Sequence, residues 1–362
     1  MVLMMFLMLG LCCLAAAGKP FGVFVNSNTN SLQFIDPETN TTTPNYLGGE
    51  LGSYGGGLFD VVITPDGKTA FVSNFGDSKV FCIDISGGFN AEPQIVKGVK
   101  IPFFAEDMAI TPDGKYILVA DGGFSNRIAV ISIYDNGIID PYLLKNNYLG
   151  SNKYANAVAV TPDGKTAVFA DYFQGAVYAY TLLDDGTLVF KNKVKVLPNR
   201  PVNIAISPNG KTVIAVNAGG PSFSALYFDN NGNLYLRENV AMPFKNGQSC
   251  VFNSAGDKAY YLSNSQTGGT KVVVLNVTGV GQVSPSGTSI KIWPKLGTSQ
   301  LFGVDTIALD PAERFLYVAN PTLSGGLTSV AIVDLEINTQ VGYIPANGIP
   351  TGIAFTTIAD ED

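Results

Sequence analysis

The chain contains no histidine. That absence excludes Ser-His-Asp and Cys-His nucleophilic catalysis, the HExxH zinc site and every metal or haem centre held by imidazole. Basic residues are also few: 22 Lys and Arg stand against 29 Asp and Glu, a formal net charge of −7. Binding to a phosphate backbone needs clustered Lys and Arg, so this balance argues against nucleic acid as a partner. Cysteine is scarce, and two of the four residues, Cys12 and Cys13, lie in the first apolar run. The other two, Cys82 and Cys250, sit inside apolar stretches and read as small buried hydrophobes, not as a disulfide framework. What the chain does have is 40 Gly, 20 Pro and 46% apolar residues, the composition of a turn-rich globular protein with much to bury.

Only one long apolar run exists, over residues 2–17, and it ends in Ala15-Ala16-Ala17. It is short for a membrane span and closes on a small-x-small site, so residues 1–17 read as a cleaved secretory signal. A retained anchor or a lipidated cysteine is the alternative. Either way the expected location is secreted, periplasmic or cell-surface, with no membrane span in the mature chain. Residues 18–362 are expected to form a single domain.

A β-rich run followed by a tight turn recurs through that domain. It reads Val62-Ile63-Thr64-Pro65-Asp66-Gly67, Ala109-Ile110-Thr111-Pro112-Asp113-Gly114, Ala159-Val160-Thr161-Pro162-Asp163-Gly164 and Ala205-Ile206-Ser207-Pro208-Asn209-Gly210. Degenerate copies pass through Ser254 and Pro311, so the interval is 46 to 57 residues. Each turn leads into a run ending in Asn or Asp, such as Phe71-Val72-Ser73-Asn74, then a third and a fourth run. Alternating β-branched and aromatic residues with Pro-Asp-Gly punctuation specify antiparallel strands. At the C-terminus, Gly352 to Thr356 is a first strand with no second; at the N-terminus, Phe21 to Asn26 and Ser31 to Asp36 are second and third strands with no first. Together they make one unit. The expected fold is therefore all-β: a seven-bladed propeller of four-stranded antiparallel blades, its ring closed by strands from both termini.

The segments Tyr317-Val318-Ala319-Asn320, Ser329 to Asp334 and Ile349 to Phe355 resemble the YVTN-type β-propeller repeat of surface-layer, YncE-like and lactonase-like propellers. The WD40 repeat is disfavoured: without His there is no Gly-His dipeptide, and the one Trp, Trp293, is not followed by Asp. The kelch repeat is disfavoured by the same shortage of Trp. The resemblance implies a fold, while members of the family range from binding proteins to enzymes. Some lactone-processing propellers use His and Arg residues, and this chain has no His to match.

In this topology the start of each first strand and the end of each second strand share one face, at the mouth of the central channel. Five residues before each turn Pro stand Asp60, Asp107, Ala157, Asn203, Ser249 and Thr306, preceded by Phe59, Glu106, Asn156, Val202, Gln248 and Asp305. Two readings stand for this ring. Its oxygen donors, in particular Asp60, Asp107, Asn156, Asn203 and Asp305, could hold Ca²⁺ or Mg²⁺. Alternatively they bond to nearby backbone amides at the strand entries. The ring of Asn26, Asn74, Asp121, Asp171, Asn217, Asn264 and Asn320 recurs too regularly for a catalytic constellation and is expected to shape turns. Phe75, Phe124, Tyr172, Phe173 and Phe223 follow in the same loops, either as a ligand platform or tucked between blades. Arg200, between Asn199 and Pro201 in a loop entering the same face, is a candidate for a carboxylate or phosphate. The repeat between Ser254 and Pro311 is about ten residues longer than its neighbours, the excess falling within residues 278–304.

No residue set here demands chemistry. The expected function is an exported binding propeller that recognises a protein, glycan or small molecule at the channel mouth, with no cofactor required. A lactonase-like hydrolase or isomerase is the alternative, with Glu106, Asp107, Asp305 and Arg200 as candidate base and electrophile. A structural surface or adhesion protein is the third.

Overall fold

The computed structural model describes residues 19–52, 57–123, 127–134, 139, 145–148, 155–196, 200–219, 223–243, 246–265, 269–293, 306–320 and 328–357. The proposed signal segment, Phe124 and Asp305 lie outside these. Seven four-stranded antiparallel sheets account for the regular structure, and no helix occurs among the described residues. Blade 1 is a meander of Leu58–Ile63, Thr69–Asn74, Lys79–Asp84 and Gln94–Lys100. Blades 2 to 6 repeat the order over residues 105–148, 155–195, 201–240, 247–292 and 307–345. Blade 7 takes its inner strand, Pro350–Thr357, from the C-terminus and pairs it with Pro20–Asn26, followed by Ser31–Asp36 and Thr41–Thr42. The innermost strands of neighbouring blades touch all the way round, and Ile307–Leu309 of blade 6 meets Pro350–Thr357, so the ring is closed.

Burial explains the sequence pattern of each unit. The inner three strands are covered by a blade on either side, and read as near-continuous apolar runs. The outer strand is covered on one side only and alternates: Thr339–Pro345 is exposed at Thr339, Val341 and Tyr343 and buried at Ile344. The apolar side chains gather into seven clusters, one at each blade boundary. Phe169 and Tyr178 of blade 3, for example, pack against Leu118 and Ile128 of blade 2.

The recurrent turn is built from side-chain oxygens. Thr111 Oγ1 donates to Asp113 Oδ1 at 2.6 Å and accepts from the Tyr116 N–H at 3.0 Å; Asp113 Oδ1 also accepts from the Lys115 N–H at 3.1 Å. Thr161 and Asp163 repeat this set, and Ser207 and Asn209 make the equivalent bonds. The turn glycine adopts φ near +70° and lies on the turn proline of the preceding blade: a Cβ at Gly210 would sit 3.4 Å from Pro162 Cδ. In blade 6, Asp310 takes the place of Thr and accepts from the Ala312 and Phe315 N–H groups.

Partial burial alone pushes the Asp113 and Asp163 carboxyls up. The Thr hydroxyl and the N–H and charge of the following Lys together outweigh it and hold both below the ordinary carboxylate range. Because both titrate lower in the folded chain than in the unfolded one, the stabilisation is complete above the unfolded carboxylate range. It is lost as pH falls through the folded values. The Asp113→Asn/Asp163→Asn double variant is therefore expected to lose less stability than wild type between about pH 5 and pH 2 in urea titrations.

Gly352 marks the closure. A Cβ there would lie 2.7 Å from Asp60 Cα and 2.9 Å from Phe59 O, backbone atoms of blade 1 that have no slack. Gly352→Ala is expected to destabilise the fold by about 2–3 kcal/mol, read by chemical denaturation. Wild-type stability in this variant would contradict the tight closure.

Candidate functional site

The inner strands of blades 1 to 5 each lose register with their second strand at the channel-mouth end, for example between Ala105 and Met108 and between Gly247 and Ser249. Beyond these shifts, Met108, Val158 and Cys250 stand in non-hydrogen-bonded pairs, so their N–H groups point to the open edge of the strand, and buried N–H groups must be satisfied. The preceding blade does this with side chains. Asp60 Oδ2 accepts from the Met108 N–H at 2.9 Å, Asp107 Oδ2 from the Val158 N–H at 2.7 Å, and Asn203 Oδ1 from the Cys250 N–H at 3.2 Å. Blade 3 carries Ala157 at the acceptor position, and its neighbour Asn156 instead donates Nδ2 to Val202 O at 3.2 Å. In blade 7 the Thr351 hydroxyl donates to Leu58 O at 3.0 Å. Ser73 adds a further link, accepting from the Asp60 N–H and donating to Glu106 O at 2.8 Å. Asp60, Asp107, Asn156 and Asn203 are all buried.

These residues therefore join blades by backbone hydrogen bonds. Among the described residues, no group of three or more acidic or Cys side chains converges closely enough to hold a metal ion. Asn156 Oδ1, Gln248 Nε2, Ser249 Oγ and Thr306 Oγ1 are buried at the strand entries of blades 3, 5 and 6 without a protein hydrogen bond. Three members of the Asn/Asp ring at the ends of the second strands close loops. Asn74 Oδ1 accepts from Asp77 N–H, Asp121 Oδ1 from Gly123 N–H, and Asp171 Oδ1 from Phe173 and Gln174 N–H.

Aromatic rings crown this rim. Phe59, Phe75 and Phe104 form a stack that crosses from blade 1 to blade 2, with centroids 4.8 Å apart at each step and interplanar angles of 24° and 13°. Gly122 and Gly123 let the loop of blade 2 lie against it: a Cβ at Gly122 would stand 2.4 Å from Phe75 and 2.9 Å from Glu106 Oε2. Glu106 is thus buried beneath the stack. Phe104 is 43% exposed. In blade 3, Tyr172 and Phe173 meet edge to face at 5.1 Å, and Phe173 is 56% exposed. Arg200 lies over the Tyr172 ring at 5.4 Å and donates Nη1 to its hydroxyl at 3.2 Å. Its guanidinium is exposed and makes no ion pair among the described residues.

Phe223 does not join this surface. It begins the third strand of blade 4, is fully buried and packs against Tyr261 of blade 5 at 5.9 Å. Phe59 and Phe104 take part instead. Their signal in the sequence is position: each stands at the threshold of a first strand, in Leu58-Phe59-Asp60 and Phe103-Phe104-Ala105. The long repeat of blade 5 spends part of its excess on an outer hairpin of two 11-residue strands, Gly269–Gly279 and Gln282–Ile292. Its tip lies on the turn face, away from the channel mouth.

No family model and no curated protein matches the sequence. Solved structures do match the fold. The periplasmic gluconolactonase of Pseudomonas aeruginosa is similar at TM-score 0.75 and 15% identity, over 94% of this chain and 99% of that one. A functionally unknown protein from Desulfotomaculum acetoxidans DSM 771 is similar at TM-score 0.76 and 20% identity, over 92% and 98%. A protein from Lactobacillus plantarum aligns at TM-score 0.72 and 14% identity, over 93% and 99%. At these identities the likeness is one of fold: a complete seven-bladed propeller.

The side-chain links make a quantitative expectation. Asp107→Ala leaves the buried Val158 N–H without its acceptor and should cost about 1–3 kcal/mol in urea denaturation. Asp107→Asn keeps an acceptor and should recover most of that. An equal loss in both variants would show that charge, not the hydrogen bond, is what the position supplies.

Proposed function

We propose that this chain is an exported propeller of the YVTN type that binds a ligand at the channel-mouth face. The observation that carries this reading is the aromatic surface. The Phe59–Phe75–Phe104 stack ends in an exposed ring, and Tyr172, Phe173 and Arg200 stand on the same face of the neighbouring blades. Rings presented in this way suit the flat or weakly polar face of a sugar, a peptide or another small molecule. Arg200, held by its contact with Tyr172, adds a charged hydrogen-bond donor group for a carboxylate or phosphate. The carboxylates of Asp60 and Asp107, offered by sequence as metal ligands, already serve backbone amides.

A lactonase-like hydrolase is the second reading, supported by the gluconolactonase neighbour. Without His, the base would be Glu106, buried beside Gly122, and the electrophile Arg200.

Titration of the mature chain with D-glucono-1,5-lactone, D-gluconate and a panel of neutral oligosaccharides separates the two. The binding reading expects saturable heat with at least one of these. Phe104→Ala or Phe173→Ala should weaken it about tenfold, the loss of roughly 1.4 kcal/mol, with lactone opening at the uncatalysed rate. Turnover abolished by Glu106→Gln and by Arg200→Ala would establish the hydrolase in its place. Neither binding nor turnover would overturn the assignment of the channel mouth.

A further inference from the structure

The opposite, turn-bearing face holds a groove of about 980 Å³ between blades 3 and 4. Lys165, Lys191 and Lys211 line it, with Tyr227 and Phe228 of the third strand of blade 4 and Val280 from the blade 5 hairpin. Two features set this boundary apart. The first is the hairpin, whose tip reaches onto blade 4: the Gly281 N–H donates to Thr212 Oγ1 at 3.0 Å, and a Cβ at Gly281 would lie 3.1 Å from Tyr227 Cβ. Val280, 44% exposed beside it, makes a wall that the shorter hairpins cannot supply.

The second is the state of the charges. Lys165 and Lys211 follow the turn glycines of their blades; the equivalent Lys115 in blade 2 is paired with Asp113 at 3.5 Å. Lys165, Lys191 and Lys211 make no ion pair among the described residues. The two carboxylates that share the lining are engaged locally. Asp163 accepts from the Thr161 hydroxyl and the Lys165 N–H. Asp229 accepts from the N–H groups of Asn231 and Asn233 and from the Asn233 amide. The Asn233 N–H is the main influence holding the Asp229 carboxyl down, with Lys191 a smaller one. Lys191 Nζ lies over the loop where Gly232 has no side chain, since a Cβ there would be 2.8 Å away. Three lysines thus line one groove of a chain whose net charge is −7.

We propose that this groove binds a small polyanion carrying clustered phosphate or carboxylate groups, at a site separate from the channel mouth. Lysine ammonium groups act as point charges for phosphate and carboxylate oxygens. Tyr227 and Phe228 offer an apolar floor for the part of the ligand between the charges.

Calorimetric titration of the mature chain at low ionic strength with sodium tripolyphosphate, citrate and orthophosphate tests this. Saturable binding of tripolyphosphate is expected, weakened at least tenfold in Lys191→Ala/Lys211→Ala and in Val280→Asp, and weakened steeply by added salt. The exposed Lys100→Ala on the outer strand of blade 1 and Phe104→Ala at the channel mouth should leave it unchanged. Citrate binding as tight as tripolyphosphate assigns the site to clustered oxyanions in general; a preference for tripolyphosphate assigns it to phosphates. Absence of saturable binding, unchanged affinity in the groove variants, or an equal loss in Lys100→Ala would overturn the proposal. Lys211 and Val280 are exposed and Lys191 is half-buried, so melting temperatures near wild type separate loss of the site from loss of the fold.

Discussion

Everything in this protein depends on how one blade is joined to the next. The joint is a backbone amide on the open edge of an innermost strand, captured by a side chain from the preceding blade. Met108, Val158 and Cys250 give their N–H groups to Asp60, Asp107 and Asn203. Apolar clusters at the seven boundaries supply most of the favourable free energy, but they are non-directional and would tolerate slippage between blades. The buried hydrogen bonds fix the register, because a displaced blade would leave both a carboxylate or amide oxygen and an N–H unsatisfied.

Rigidity of this kind bears on function. The rim residues that hold the blades are the ones closest to the channel, so they are committed to structure. The layer above them is where loops are free to vary, and the proposed recognition surface lies there. The aromatic stack and the Tyr172–Phe173–Arg200 group occupy that layer, and glycines at 122 and 123 let the chain approach the rings closely. The turn face has a different character. It is built from repeated Thr-Pro-Asp-Gly oxygens and carries Lys115, Lys165 and Lys211 directly after three of its turn glycines.

The architecture was legible because each unit repeats the same local physics. Pro-Asp-Gly marks the turn between inner and second strands, and the incomplete units at the two termini reveal the shared blade. Gly352 was legible only as the start of the last strand; what requires glycine there is the backbone of Asp60 2.7 Å away, a contact between residues almost the whole chain apart. The site was less legible. Sequence placed Asp60, Asp107 and Asn203 at one rim and left metal binding and backbone bonding as rivals, since both use the same oxygens and the strand-edge amides they meet are invisible in a sequence. Phe223 was placed with the loop aromatics because it follows Asn217 as Phe75 follows Asn74, yet it lies within the third strand and is buried between blades 4 and 5. Phe104 was missed because it lies outside those loops, in the connection between blades 1 and 2.

Amide hydrogen exchange of residues 18–362 tests the central claim most directly. The Met108, Val158 and Cys250 N–H groups should exchange only by global unfolding, and Asp107→Ala should accelerate Val158 far more than Met108 or Cys250. Exchange of these amides at the rate of surface loops, or no selective effect at Val158, would contradict the account.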